Sequence, residues 1–178
     1  KREPQGTIRV GVVSVMLHVL RFLPAEEFHG QLPRLVHVLT EGLLSRDAGQ
    51  RRAARFAAAH VVTALGSPYL PWLLREMRPR MTKGYAIPVL MMTAHTCLEG
   101  LVADELCMQA PTLQEDLNTA TCQLLPLIEL EVERLCDPTR LDNEADDRLP
   151  NQVNESKAVR GPTILRTLTK FADPELVQ

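Results

Sequence analysis

Aromatic residues are scarce in this chain: they make up 4% of it, with one tryptophan, Trp72. Sheets favour aromatic and β-branched residues, so this scarcity speaks for helix packed on helix. Cysteine is sparse too. Cys97, Cys107, Cys122 and Cys136 lie 10, 15 and 14 residues apart, with no CxxC pair. None of these gaps is a familiar zinc spacing, so buried free thiols in a reducing compartment are expected. No phosphate-cradling glycine loop, nucleophile elbow or HExxH helix is present. The five histidines (His18, His29, His37, His60 and His95) are scattered. The acidic pairs Asp104/Glu105 and Asp146/Asp147 fall in turns or loops, where solvation explains them. The expectation is therefore a protein that is not an enzyme, with no catalytic residue, no cofactor and no metal. A charged-then-apolar leader is missing, and so is an uninterrupted apolar run of about 18 residues, which argues against a membrane partner. The chain opens at Lys1 and stops at Gln178 without a helix cap, so it reads as a piece of something longer.

What is present is an ordinary apolar content, 45%, carried by Leu, Val, Ala and Met. That is enough for an ordered core. The net charge of −2 conceals a split. Residues 1–103 carry 13 Lys/Arg against 7 Asp/Glu, and residues 104–178 carry 7 against 15. A basic and an acidic half suit contacts with different partners; solvated helix faces plus one acidic loop explain the split equally well.

The pattern repeats. Residues 32–45 (LPRLVHVLTEGLLS) place Leu32, Leu35, Val36, Leu39 and Leu43 on one helical stripe, with Pro33 near a helix start. After the turn at Arg46–Gly49, residues 50–65 predict a second helix with Ala53, Phe56, Ala57, His60, Val61 and Ala64 inward. Gly66 suits its C-terminal stop. Residues 68–82 then repeat the Leu-Pro signature, with Pro71 lying 38 residues after Pro33, and 86–103 supply the next partner helix. Helix pairs near 32–65 and 68–103, joined by short turns, match the roughly 40-residue period of HEAT or armadillo units. The fold class expected is all-α: a HEAT/armadillo-like α-solenoid of antiparallel helix pairs.

Around these units, residues 7–23 predict the second helix of a preceding repeat. Residues 112–136 predict a longer helix, opened by a Thr112/Glu115 capping box and kinked or interrupted at Pro126. Residues 137–156 are polar and acidic, a mobile surface loop, and 161–178 read as the start of a further repeat.

Two sets of residues invite a functional reading. Arg51, Arg52 and Arg55 in one helix, with Arg75, Arg78, Arg80 and Lys83 around the end of the next, form a basic set able to meet RNA phosphates or a protein partner. A solvated surface, with cations complementing a helix C-terminus, explains them as well. Arg51 and Arg55 are expected side by side on the exposed face, with Asp47 the nearest carboxylate for Arg51. Tyr69 and Trp72, three apart, serve either as a partner anchor or as packing between repeats. Gly84 and Tyr85 are expected to form a structural joint between paired helices.

Residues 83–101 (KGYAIPVLMMTAHTCLEGL) carry Gly84-Tyr85, Val89-Leu90, Thr93, His95 and Leu98-x-Gly100-Leu101 in one register. This stretch resembles HEAT-repeat component 20 of the small-subunit processome, the down-regulated-in-metastasis family, and the chain looks like a fragment of it. The likeness extends through Tyr69-Leu70 and Leu74-Arg75-Glu76-Met77 upstream, and through Glu155-Ser156-Lys157 and Ile164-Leu165 downstream. It departs at Pro88, where the family tends to carry a polar residue, and in the composition of 137–156. The resemblance implies a non-catalytic scaffold in the nucleus and nucleolus, supporting assembly of the processome and maturation of the 18S rRNA precursor. Its implied partners are other processome proteins, pre-ribosomal RNA and the U3 small nucleolar ribonucleoprotein, with no small-molecule substrate. Periodicity alone reaches only a helical-repeat interaction protein. It leaves open another HEAT/armadillo adaptor, such as a transport receptor or a phosphatase- or kinase-type scaffold.

Overall fold

The computed structural model describes residues 11–82, 84–136 and 159–171. These form eight α-helices and one 3₁₀ turn, and no strand occurs among them. The acidic segment 137–156, expected to be a loop, lies wholly outside the described residues, as does Lys83.

Helix α1 (Gly11–Leu20) buries Val13, Leu17 and Leu20 and leaves Val12, Val15 and Val19 exposed. Helix α2 (Ala25–Leu43) buries the predicted stripe of Leu32, Leu35, Val36, Leu39 and Leu43. Its start corrects the sequence reading: Pro24 is the N-cap, and Pro33 sits inside the helix. Pro33 is solvent-exposed, so the carbonyl it leaves unpaired one turn earlier can be hydrated, and the helix continues.

Helix α3 (Ala48–Leu65) is capped by Asp47, whose carboxylate accepts from the Gly49 and Gln50 N–H groups at 2.6 and 3.4 Å. Its inward face holds Arg51, Ala54, Ala57, Ala58, Val61 and Val62. The predicted face was therefore rotated: Ala53, Phe56 and His60 point to solvent. Gly66 ends the helix with φ +101°, a conformation that favours glycine. Helix α4 (Tyr69–Met77) is shorter than 68–82 because Pro79 has no N–H to continue the ladder, and the chain tightens into the 3₁₀ turn Arg78–Arg80.

Helix α5 (Ala86–Ala103) buries eleven residues, including Thr93, His95 and Cys97. By length and composition it is long and apolar enough to cross a membrane, although Thr93, His95, Thr96 and Glu99 interrupt its apolar run. Its burial within the helical core accounts for that character. Short α6 (Glu105–Met108) leads to α7 (Leu113–Cys136), which runs through exposed Pro126 without interruption. At its start the Thr112 carbonyl accepts from the Asp116 N–H at 2.9 Å. The last helix, α8 (Gly161–Leu168), buries Ile164 and Leu168.

The helices neighbour one another in two series. Helices α2, α4 and α7 contact in that order, and so do α1, α3, α5 and α8. Contacts between the series join α2 to α3, α4 to α5 and α7 to α8. Each helix has one apolar stripe, and this order lets every stripe face a common interior.

Polar bonds tie the ends. Ser67 Oγ, fully buried, donates to Asp116 Oδ2 at 2.7 Å, fixing the α3–α4 turn to α7. Buried Glu131 on α7 accepts from the N–H groups of Arg160 and Gly161, the latter at 2.6 Å. A carboxylate there also complements the dipole of α8. A Cβ on Gly161 would stand 2.9 Å from both Glu131 Oε2 and Ile128 Cγ2, so only glycine allows this approach.

Cys97 and Cys107 are buried as expected, whereas Cys122 and Cys136 are exposed on α7, against expectation. Burial pushes the Cys97 thiol up to about 12, so it carries no thiolate at neutral pH. A thiol-alkylating reagent applied to the native protein is expected to modify Cys122 and Cys136 and to spare Cys97 and Cys107 until denaturant is added. Peptide mass spectrometry reads the result. Cys97 reacting at the rate of Cys122 would contradict the placement of α5 in the interior.

Candidate interaction surface

The predicted basic set divides. Arg51 is buried, with 2% of its surface exposed, and its Nη1 donates to the carbonyls of Ser45 and Arg46, both at 3.0 Å. This corrects the expected exposed Arg51–Arg55 pair. The α2–α3 turn turns its carbonyl oxygens toward the first turn of α3, and a long guanidinium satisfies two of them at once. Asp47 accepts from the helix backbone, and Ser45 Oγ donates to Gln50 Oε1 at 2.9 Å, stitching the same turn. Arg51 is thereby withdrawn from any external phosphate or partner. Arg55 is half-buried.

Arg52 faces solvent, with its guanidinium carbon 5.6 Å from the centre of the Phe56 ring. Phe56 is 54% exposed, so the pair forms a small surface platform on α3. Sequence reasoning missed it by assigning Phe56 to the core.

The second group sits at the end of α4. Arg75 is exposed and pairs with Glu76 at 3.3 Å. Arg80 turns toward α2, donating to His37 Nδ1 and lying 4.0 Å from Glu41. Exposed pairs of this kind contribute about 0–1 kcal/mol and exchange readily. Arg75, Arg78, Pro79 and Thr82 together line a shallow groove of about 370 Å³, whose far wall is Gln123 of α7. Thr82 and Gln123 were not singled out in the sequence, since only folding brings α7 beside this turn. The structure therefore groups Arg75 with Arg78, directs Arg80 to α2, and leaves Arg52 on a helix of the other series.

Gly84 adopts φ +55°, and Tyr85 is the residue from which α5 starts. The Tyr85 hydroxyl donates to the Leu44 carbonyl at 2.7 Å, linking the start of α5 to the end of α2. Tyr69 and Trp72 stack edge to face with centroids 5.9 Å apart, both half-buried, and Trp72 packs on the core.

His95 is buried on α5, 3.2 Å from Glu99 Oε2. Burial holds its pKa below the ordinary 6.5; the Glu99 carboxylate opposes that shift and the Arg160 charge adds to it. The imidazole is neutral at physiological pH, a core residue with a surface carboxylate at its edge. Among the described residues, no group of three or more His, Cys, Asp or Glu side chains is placed to hold a metal ion.

The division of the arginines predicts unequal costs. Arg51→Ala removes a buried side chain and its two charge-assisted bonds to the carbonyls of Ser45 and Arg46, and is expected to destabilise by about 2–4 kcal/mol. Arg52→Ala should cost about 0.5 kcal/mol or less. Urea unfolding followed by circular dichroism measures both, and equal losses would contradict the buried position of Arg51.

The whole chain, residues 1–178, matches the family model described as the U3 small nucleolar RNA-associated protein 20 domain. A Schizosaccharomyces pombe protein, U3 small nucleolar RNA-associated protein 20, is 28% identical over 96 residues. That stretch is 54% of this chain and 4% of the yeast protein, so the similarity spans a small part of a much longer relative. With its full length matched, the chain belongs to the U3 small nucleolar RNA-associated protein 20 domain family.

Proposed function

We propose that this chain is a segment of a non-catalytic helical scaffold acting in small-subunit ribosome biogenesis. In this reading it helps assemble the small-subunit processome and supports maturation of the 18S rRNA precursor in the nucleolus, within the nucleus. Its partners there are other processome proteins, together with pre-ribosomal RNA and the U3 small nucleolar ribonucleoprotein in the full assembly. The observation that carries the proposal is the family match over the whole chain, to a domain named for association with U3 small nucleolar RNA.

The packing order supports a HEAT/armadillo-like solenoid as the architecture. Helices alternate between two series, and sequential helices pair across them, as stacked two-helix units do. In this reading α2 pairs with α3, α4 with α5, and α7 with α8. Helix α8 then completes the unit that α7 opens, and it does not begin the next one. Gly84 and Tyr85 act as the joint of the middle unit: the positive φ turns the chain, and the Tyr85 hydroxyl fastens it to the preceding pair. Arg51 is engaged internally, so in this reading the contact residues of the basic set among the described residues are Arg52, Arg55, Arg75, Arg78 and Arg80. A scaffold of this kind contributes geometry and surface, and needs no bond-making chemistry of its own.

Immunoprecipitation of the full-length protein from nucleolar extract tests the proposal. U3 RNA and precursor small-subunit rRNA are expected in the bound fraction, enriched over an unrelated small nucleolar RNA. Depletion of the protein should lower mature 18S rRNA while large-subunit rRNA persists. Recovery of U3 RNA no better than the unrelated control would overturn the assignment.

A further inference from the structure

The groove between the end of α4 and α7 combines three features. Arg75 and Arg78 bring positive charge to its rim, and Arg78 makes no ion pair among the described residues. Its walls are mostly carbon, with the Pro79 ring among them. At its far side the amide oxygen of Gln123 is buried and accepts no hydrogen bond. An unmet buried acceptor is costly, so an occupant that draws this amide outward and offers a donor recovers stability.

We infer that this groove docks an acidic peptide segment of a partner protein, with carboxylates on Arg75 and Arg78 and a backbone N–H on the Gln123 amide. The inference rests on the scaffold reading above and deepens it by giving one protein contact a place and a chemistry. Charge selects an anionic occupant. The Gln123 oxygen selects among anions. Phosphate oxygens only accept, so the donors an RNA strand brings are its ribose hydroxyls and base edges, which project away from the anionic groups, whereas a peptide carries N–H groups along its backbone between its carboxylates. The carbon walls suit an apolar side chain between the acidic ones, and a groove of about 370 Å³ admits one or two side chains. Among the described residues no aromatic lines it, so these residues offer no platform for base stacking. The Arg75–Glu76 pair is exposed and gives way to a better-placed carboxylate.

The test uses the full chain with two fluorescent probes, a short peptide of alternating glutamate and leucine, and a single-stranded oligouridylate. Binding is followed by anisotropy at low and high salt. The peptide is expected to bind, more weakly as salt rises. Arg78→Glu should weaken it on the order of tenfold, Gln123→Leu should weaken it about threefold, and Arg46→Glu, away from the groove, should leave it unchanged. Thermal melts matching the parent protein confirm that the variants are folded. Peptide binding that is absent, or equally reduced by Arg78→Glu and Arg46→Glu, would overturn the inference. Oligouridylate binding lost selectively in Arg78→Glu, with peptide binding retained, would overturn it in favour of nucleic acid. The scaffold reading fails separately: U3 RNA missing from the full-length protein's immunoprecipitate removes that reading, whatever the peptide does.

Discussion

The closest constraint in the molecule is the crossing of α3 and α5. Helix α5 is the most apolar of the long helices among the described residues, and it packs on α3 more extensively than on any other helix. The approach is close because small residues meet there: a Cβ on Gly100 would stand 3.0 Å from Thr63 Cγ2 and 4.0 Å from Ala59 Cβ. Cys107, just past α5, extends the same contact by donating from Sγ to the Thr63 carbonyl at 3.5 Å. With α3 and α5 seated, α1 continues one series on α3 while α8 continues it on α5, and α2, α4 and α7 cover the interior from the other side.

Apolar stripes alone leave helices free to slide along one another, and the register comes from a few polar bonds at helix ends. Ser67 with Asp116, Tyr85 with the Leu44 carbonyl, Arg51 with the α2–α3 turn, and Glu131 with the start of α8 each join an end to a neighbour. All four use a buried or half-buried group, so breaking one exposes an unmet partner to an apolar surrounding. A surface held this stiffly can present widely separated contact residues in fixed geometry, which is what the scaffold reading asks of it.

Much of the fold was legible where apolar residues are large and periodic. The α2 stripe from Leu32 to Leu43 fell into place because leucine at helical spacing has one interpretation. The phase of helix α3 is hard to read because alanines occur around much of its circumference, and its two ring-bearing side chains, Phe56 and His60, lie on the solvent side. Pro33 and Pro126 read as a helix start and a helix break. Both lie on exposed faces, where water compensates for the lost bond, and solvent access is not visible in sequence. Arg51 defaults to the surface in any sequence reading; its burial follows from carbonyls that converge only once the α2–α3 turn is formed. The charges of Arg75 and Arg78 were legible, but their groove was not, because α7 is more than thirty residues away along the chain. The family resemblance in residues 83–101 reached further than periodicity did, and the match of the whole chain agrees with it.

A double-mutant cycle at the α3–α5 crossing tests the architecture most directly. Gly100→Ala adds a methyl into the space of Thr63 Cγ2, and Thr63→Ser removes that Cγ2 while keeping the hydroxyl that bonds the Ala59 carbonyl. Urea unfolding of the parent, both single variants and the double variant gives the coupling energy. Gly100→Ala is expected to be better tolerated in the Thr63→Ser background, with a coupling of about 1 kcal/mol. The same cost of Gly100→Ala in both backgrounds would mean that α3 and α5 do not meet at these residues, and would contradict the packing on which the rest of the structure depends.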